Sequence, residues 1–216
     1  MSNSAQKIKT ILKDLSNATL IVVTKNQPKD ILEALLQIPE TKHIGENRLQ
    51  DFKERFCPDL YIQFKKQNIS FHFIGHLQTN KVKEVIKYFD LIQSVDSIKL
   101  LEKINEEARK TNKIQRILLE VNISEDPAKH GFTTTSHSLE EAIQKAQSLP
   151  NIQLEGLMTI LAINLTEEEQ SENFSKLKTL SNKFNLPITS MGMSQDYRIA
   201  IKAGSNMVRI GSKVFN

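Results

Sequence analysis

Lys25 closes the segment LIVVTKNQP, just beyond the apolar run LIVV (20–23). A run without polar alternation reads as a strand buried on both faces. A lysine at the end of such a strand has two readings. It has simply reached water, as most lysines do, or it is a partly desolvated amine able to attack a carbonyl. Two later segments offer an anion a place to sit. In SMGMSQD, Gly192 and Ser194 precede a helix expected to begin at Gln195, so that Ser194 caps it and free N–H groups face outward. In VRIGSK, Gly211 and Ser212 follow another strand. An amine opposite a phosphate cradle suits a phosphate-bearing aldehyde, and the one that bonds lysine is pyridoxal 5′-phosphate. Arg209 only donates hydrogen bonds, so it could face an unprotonated ring nitrogen. Its alternative is an ion pair inside the fold.

These residues need a frame that brings distant segments to one place. Short β-type runs alternate with helical patterns along the whole chain. The runs are LIVV (20–23), KHIG (42–45), SFHFIG (70–75), LIQSV (91–95), RILLEVNI (116–123), IQLEGLMTI (152–160), PITSMGM (187–193) and NMVRIG (206–211). Between them, apolar residues recur at three- and four-residue spacing. Pro28 suits a first helical turn, Ser97 or Asp96 a cap, and Thr166 before three glutamates another. Eight such β-then-α units predict an α/β protein, a single (β/α)8 TIM barrel over residues 1–216, with an extra helix from the N-terminal MSNSAQKIKTILKDL. An open doubly wound sheet is the second choice.

Of only seven glycines, Gly45, Gly75, Gly156, Gly192 and Gly211 lie in or just after predicted strands. Any one of them could serve an ordinary βα turn. Together, at the ends of barrel strands, they mark the face where such folds build their sites.

Composition removes several other classes. The charge of +4 comes from interspersed lysines and acids without clustered stacking aromatics, which gives no argument for nucleic acid. A single cysteine, Cys57, allows neither a disulfide framework nor a CxxC metal motif. No apolar run is long enough to span a membrane, and the N-terminus lacks a signal peptide's apolar centre, so a cytoplasmic setting is expected. His72 and His76, four apart on a strand, stand ~13 Å apart and cannot share an ion. His43, His130 and His137 show no ligand spacing, and no metal is expected.

The segments VTKNQP, HIGENRLQDF, FHFIGHLQTNK, EVNISEDPAKHGF, LEGLMTI, TSMGMSQDYRIAIKAG and NMVRIGSKVF, in this order, resemble the YggS/PROSC family of pyridoxal phosphate homeostasis proteins. The barrel of that family is similar to the N-terminal domain of alanine racemase, fold type III among pyridoxal phosphate proteins. The resemblance implies that Lys25 holds the cofactor as a Schiff base and that Asn47 and Met158 lie near it. It assigns Ser194, Gly211 and Ser212 to the phosphate and Arg209 to the pyridine nitrogen. The departures are small: Asn26 and Gln27 follow the lysine, ILAIN lacks a proline after GLM, and the chain ends a little early at Asn216.

A racemase on this scaffold needs a second base, which the similar racemases take from a tyrosine of another domain and the partner subunit. Few residues follow Arg209 here, and Tyr61, Tyr88 and Tyr197 are poor substitutes. The expectation is therefore a monomeric binding protein that keeps pyridoxal phosphate homeostasis without robust catalysis and exchanges it with dependent apoenzymes. A racemase or lyase of narrow specificity is the alternative. A third reading is a phosphate-ligand barrel in which Lys25 only pairs with the anion.

Overall fold

The computed structural model of the chain describes residues 3–134 and 137–216. Its sheet is a closed barrel of eight strands in sequence order, each parallel to its neighbours. The strands are β1 (Thr19–Val23), β2 (His43–Glu46), β3 (Ser70–Phe73), β4 (Leu91–Val95), β5 (Gln115–Glu120), β6 (Ile152–Met158), β7 (Ile188–Ser190) and β8 (Met207–Ile210). All five residues of β4 are buried, as expected where helices cover one side and the barrel interior the other.

Around the barrel run α1 (Asn3–Asp14), α2 (Lys29–Leu35), α3 (Leu49–Arg55), α4 (Pro58–Lys66), α5 (Val82–Tyr88), α6 (Ile98–Lys110), α7 (Ser138–Ser148), α8 (Glu167–Lys183), α9 (Tyr197–Lys202) and α10 (Ser212–Phe215). The extra N-terminal helix α1 buries Ile8 and Ile11 in the helix–barrel core. Its last residue, Asp14, accepts a hydrogen bond from the Tyr197 hydroxyl at 2.7 Å and pairs with Arg198 at 2.9 Å. Those two donors hold the Asp14 carboxyl below its usual range.

Local signals set several helix starts. The Thr166 hydroxyl accepts the Glu169 N–H while the Glu169 carboxylate accepts the Thr166 N–H, a reciprocal cap on α8. Ser97, rather than Asp96, caps α6. Pro28 falls one residue ahead of the first turn of α2. The helix α4, with Pro58 in its first turn, goes beyond the helices read from the sequence.

Two apolar layers follow. Leu20, Val22, Ile44 and Phe71 point outward to the helices, and the small inner cluster Ile21, Leu91, Leu118, Met158 and Met207 fills the barrel. The barrel is thus a packed core whose open ground lies at its rim. Among the described residues, no helix is long and apolar enough to cross a membrane.

Candidate functional site

Lys25 sits one residue beyond the buried Thr24, on the turn that leaves β1. The Thr24 carbonyl accepts the Gln27 N–H at 3.0 Å, and Asn26 takes the left-handed conformation at φ 62°. Asparagine is among the few residues that adopt that region readily, and a four-residue turn of this kind needs one there. The Lys25 side chain is exposed. This corrects the expected partial desolvation: the turn carries the residue past the packed end of the strand.

What fixes the turn lies underneath it. The Thr24 hydroxyl donates to Glu46 Oε1, and Arg55 Nη2 donates to Glu46 Oε2 at 2.7 Å. Arg55 Nη1 reaches the Thr24 carbonyl, also at 2.7 Å. Glu46 is fully buried, and burial pushes its carboxyl pKa up while Thr24 and Arg55 pull it back. Sequence reading passed over all three residues. Glu46, in HIGEN beside the strand-end Gly45, was within reach; Arg55, at the far end of α3, carried no local signal.

The other residues assigned by resemblance share the same mouth of the barrel. Asn47 follows β2 and Met158 ends β6, where it is buried in the inner cluster. Ser194 lies beyond β7, and Gly211 and Ser212 follow β8. Because Ile21 pairs with Arg209 and Val22 with Ile210, the exits of β1 and β8 are neighbours. Lys25 and the Gly211–Ser212 turn therefore follow adjacent strands at the same end of the barrel. Gly75 packs just as closely, since a Cβ on it would stand 2.1 Å from the Asn47 carbonyl oxygen. Gly75→Ala should cost about 1–3 kcal/mol in urea unfolding and displace Asn47. Wild-type stability in the variant would show that the backbone yields there.

Ser194 has a different role from the one its spacing suggested. The helix α9 begins at Tyr197 with Asp196 at its cap position. The Asp196 carboxylate takes the Met193 N–H at 2.6 Å, which closes the turn ahead of α9. Ser194 is left to bridge to the next loop, where its Oγ accepts the N–H groups of Gly211 at 3.3 Å and Lys213 at 3.4 Å. Both bonds are longer than the usual optimum. One hydroxyl oxygen thus holds loosely a pair of amides that an anion oxygen could take over. In this respect the residues present fit a phosphate.

Arg209 is buried in the barrel with 3% exposure. Burial lowers its pKa to about 10, against the pull of Asp196 and Glu120, so it remains a cation at neutral pH. Its Nη2 donates to the Thr159 carbonyl at 2.7 Å and its Nη1 to Ser190 Oγ at 2.6 Å. A guanidinium has five N–H donors, so these two bonds fix its plane and leave capacity for an acceptor. Glu120, at the end of β5, has its acid pushed up to about 7 by burial and then by Asp96.

From Arg209 a polar chain crosses the barrel. Ser190 Oγ donates to Gln93 Oε1 at 2.7 Å, Gln93 Nε2 meets His72 Nδ1 at 2.9 Å, and His72 Nε2 meets His43 Nδ1 at 3.0 Å. Because the glutamine nitrogen can only donate, His72 carries its proton on Nε2 and donates to His43. Burial holds the His72 pKa well below the histidine range, and nearby His43 and Arg116 push it the same way. The folded state therefore keeps His72 neutral where the unfolded chain takes up a proton. Stability should be complete above about pH 6.5 and fall by about 1.4 kcal/mol per pH unit for this group below it. Urea unfolding at pH 7 and pH 5 checks this, with His72→Asn expected to flatten the dependence by one proton. Equal slopes in the two proteins would contradict it.

The histidines also form a group that their spacing did not suggest. His72 and His76 do not meet, but His76, Asp96 and His130 converge from three different strand exits, with ligand atoms all within 4.8 Å. Spacing along a single strand could not reveal such a group.

The whole chain, residues 1–216, matches the family model described as alanine racemase, N-terminal domain. It is 35% identical over 204 residues to a pyridoxal phosphate homeostasis protein of Aquifex aeolicus, covering 92% of this chain and 86% of the relative. It is also 35% identical over 225 residues to a protein of the same description from Haemophilus influenzae, covering 97% and 91%. Among solved structures, PipY of Synechococcus elongatus with pyridoxal phosphate bound superposes with a TM-score of 0.85 at 25% identity, over 99% of this chain and all of that one.

Proposed function

We propose that this chain, which belongs to the alanine racemase N-terminal domain family and within it to the pyridoxal phosphate homeostasis proteins, binds pyridoxal 5′-phosphate and keeps it in reserve without robust catalysis. The observation that carries the reading is the placing of Lys25 and the Ser194–Gly211 bridge on adjacent strand exits, with Arg209 of β8 fixed in the barrel by Ser190 Oγ. When bound, the cofactor supplies an aldehyde for covalent capture by an amine and a ring that draws electrons from the captured group.

Each site residue has a part in this reading. Lys25 would hold the cofactor's aldehyde end through its side-chain amine. The amides of Gly211, Ser212 and Lys213, with the Ser194 hydroxyl, would hold the phosphate. Asn47 and Met158 would lie nearest the ring. Arg209 would face the ring nitrogen and, as a cation that stays protonated, would donate a hydrogen bond to it without giving it a proton. An unprotonated ring is a weak electron sink, which suits storage better than turnover.

The tyrosines support the same conclusion. Tyr61 donates its hydroxyl to the Tyr88 carbonyl at 3.0 Å, and burial pushes its pKa up to about 12. Tyr197 is tied to Asp14. Neither is placed to serve as a second base. In this reading residues 1–216 form one cofactor-binding domain, acting as a monomer in the cytoplasm and passing pyridoxal phosphate to dependent apoenzymes.

The test is to load the protein, reduce it with borohydride and locate the added mass, then incubate loaded protein with amino acids in deuterated water. We expect the mass on Lys25 and no α-deuterium exchange above that of free cofactor. Exchange well above it would replace the reserve with an enzyme of narrow specificity. Binding without added mass would favour simple ion pairing.

A further inference from the structure

The convergence of His76, Asp96 and His130 has no part in that reading. His76 lies three residues past β3, Asp96 directly follows β4, and His130 comes from the loop after β5. All three are on the mouth of the barrel. His76 Nδ1 is 3.0 Å from Asp96 Oδ2 and His130 Nδ1 is 3.8 Å from the same oxygen. The two imidazoles stack at 4.1 Å with an interplanar angle of 16°, so both Nδ1 atoms face one carboxylate.

The loop that delivers His130 is held on both sides. Lys129 Nζ donates to the Ile160 carbonyl at 3.0 Å. Gly131, at φ +115°, packs so closely on the end of β5 that a Cβ there would lie 2.7 Å from the Asn122 nitrogen. Only glycine combines that backbone angle with that approach. The Asp96 side chain is only 9% exposed, against 47% and 61% for His76 and His130. A nearly buried carboxylate is thus overlaid by two accessible imidazoles. Since Val95 pairs with Leu119, a second carboxylate, Glu120, stands at the neighbouring strand end.

The geometry points to a binding site for a divalent cation of the zinc type, with His76, Asp96 and His130 as its three protein ligands. Tetrahedral zinc with bonds near 2.1 Å sets its ligand atoms ~3.4 Å apart, between the two separations observed here. The exposed rings of His76 and His130 would turn out of their stack to aim both nitrogens at one ion. Two imidazoles and a carboxylate suit Zn²⁺, Ni²⁺ or Cu²⁺ better than the all-oxygen preference of Mg²⁺ or Ca²⁺. Three ligands leave one position for water or another small donor.

The test uses the full chain before pyridoxal phosphate is added. Zinc titration by calorimetry should give one equivalent, and His76→Ala or His130→Ala should weaken it by about tenfold or more. His137→Ala, outside the cluster, should leave it unchanged. Cobalt should give the d–d bands of a four-coordinate site. An assay on the unaltered protein runs in parallel: zinc should shift the NMR signals of His76 and His130 and not those of His43 or His137. Equal zinc binding by wild type and a His76→Ala/His130→Ala double variant would overturn the site. So would histidine signals that zinc leaves still or moves alike.

Discussion

Replacing Lys25 by alanine is expected to abolish the borohydride-stable attachment of pyridoxal phosphate while leaving the fold intact. The side chain is exposed, and the turn that carries it is set by backbone and buried contacts: the Thr24–Gln27 hydrogen bond, the left-handed Asn26 and the Arg55 guanidinium. Stability should therefore stay within about 0.5 kcal/mol of wild type. Retention of the cofactor should fall by at least about tenfold, or about 1.4 kcal/mol, because only the phosphate and ring contacts remain. Lys25→Arg is the sharper variant. It keeps the positive charge but cannot lose its proton to become a nucleophile. If Lys25 bonds the aldehyde, arginine fails as alanine does. Wild-type affinity in the arginine variant would mean that residue 25 only pairs with the phosphate, and the reserve would then be non-covalent.

The sequence conveyed this site unevenly, and the unevenness has physical causes. A parallel barrel strand is buried on both faces, so LIVV stood out as an unbroken run, whereas LIQSV buries two polar residues, Gln93 and Ser94, among its apolar ones. Strand ends did not stand out. RILLEVNI (116–123) continues in composition past Glu120, but β5 stops there because Val121 turns to bridge Phe132. PITSMGM (187–193) keeps only three ladder residues, since Gly192 at φ +95° takes the chain out of the sheet. The four-residue α10 is too short to leave a period.

Single residues on strand exits, such as Lys25, Arg209 and Gly211, were legible because each sits at the boundary of a recognisable element. Partnerships across elements were not. Ser194 looked like a helix cap because serine before a helix usually is one, and only the position of Asp196 reassigns it. His76, Asp96 and His130 meet only once β3, β4 and β5 are adjacent. Local pattern reads elements, whereas the chemistry here is built from pairs that only barrel closure creates.

The Glu46–Arg55 pair is one such product of closure, and removing it should have the largest effect on stability. Glu46 is fully buried, whereas the Arg55 side chain keeps 16% exposure. Glu46→Ala would leave a guanidinium with no counter-charge and the Thr24 hydroxyl without its acceptor. Breaking a buried pair by deleting one partner costs about 3–5 kcal/mol. Glu46→Gln preserves the volume and an acceptor for Thr24 and removes only the charge, so a smaller loss of about 1–3 kcal/mol is expected. Urea unfolding at pH 7 measures both.

The two variants should also differ at Lys25. In the alanine variant Arg55 is free to swing from the Thr24 carbonyl, and the turn loses its floor. Borohydride trapping should then be slow even under conditions where the protein stays folded. In the glutamine variant it should approach wild type. A Glu46→Ala protein within about 1 kcal/mol of wild type, trapping at the normal rate, would mean that the backbone turn alone positions the lysine. Slow trapping with little loss of stability would instead make Glu46 a positioning residue whose buried charge serves the site more than the fold.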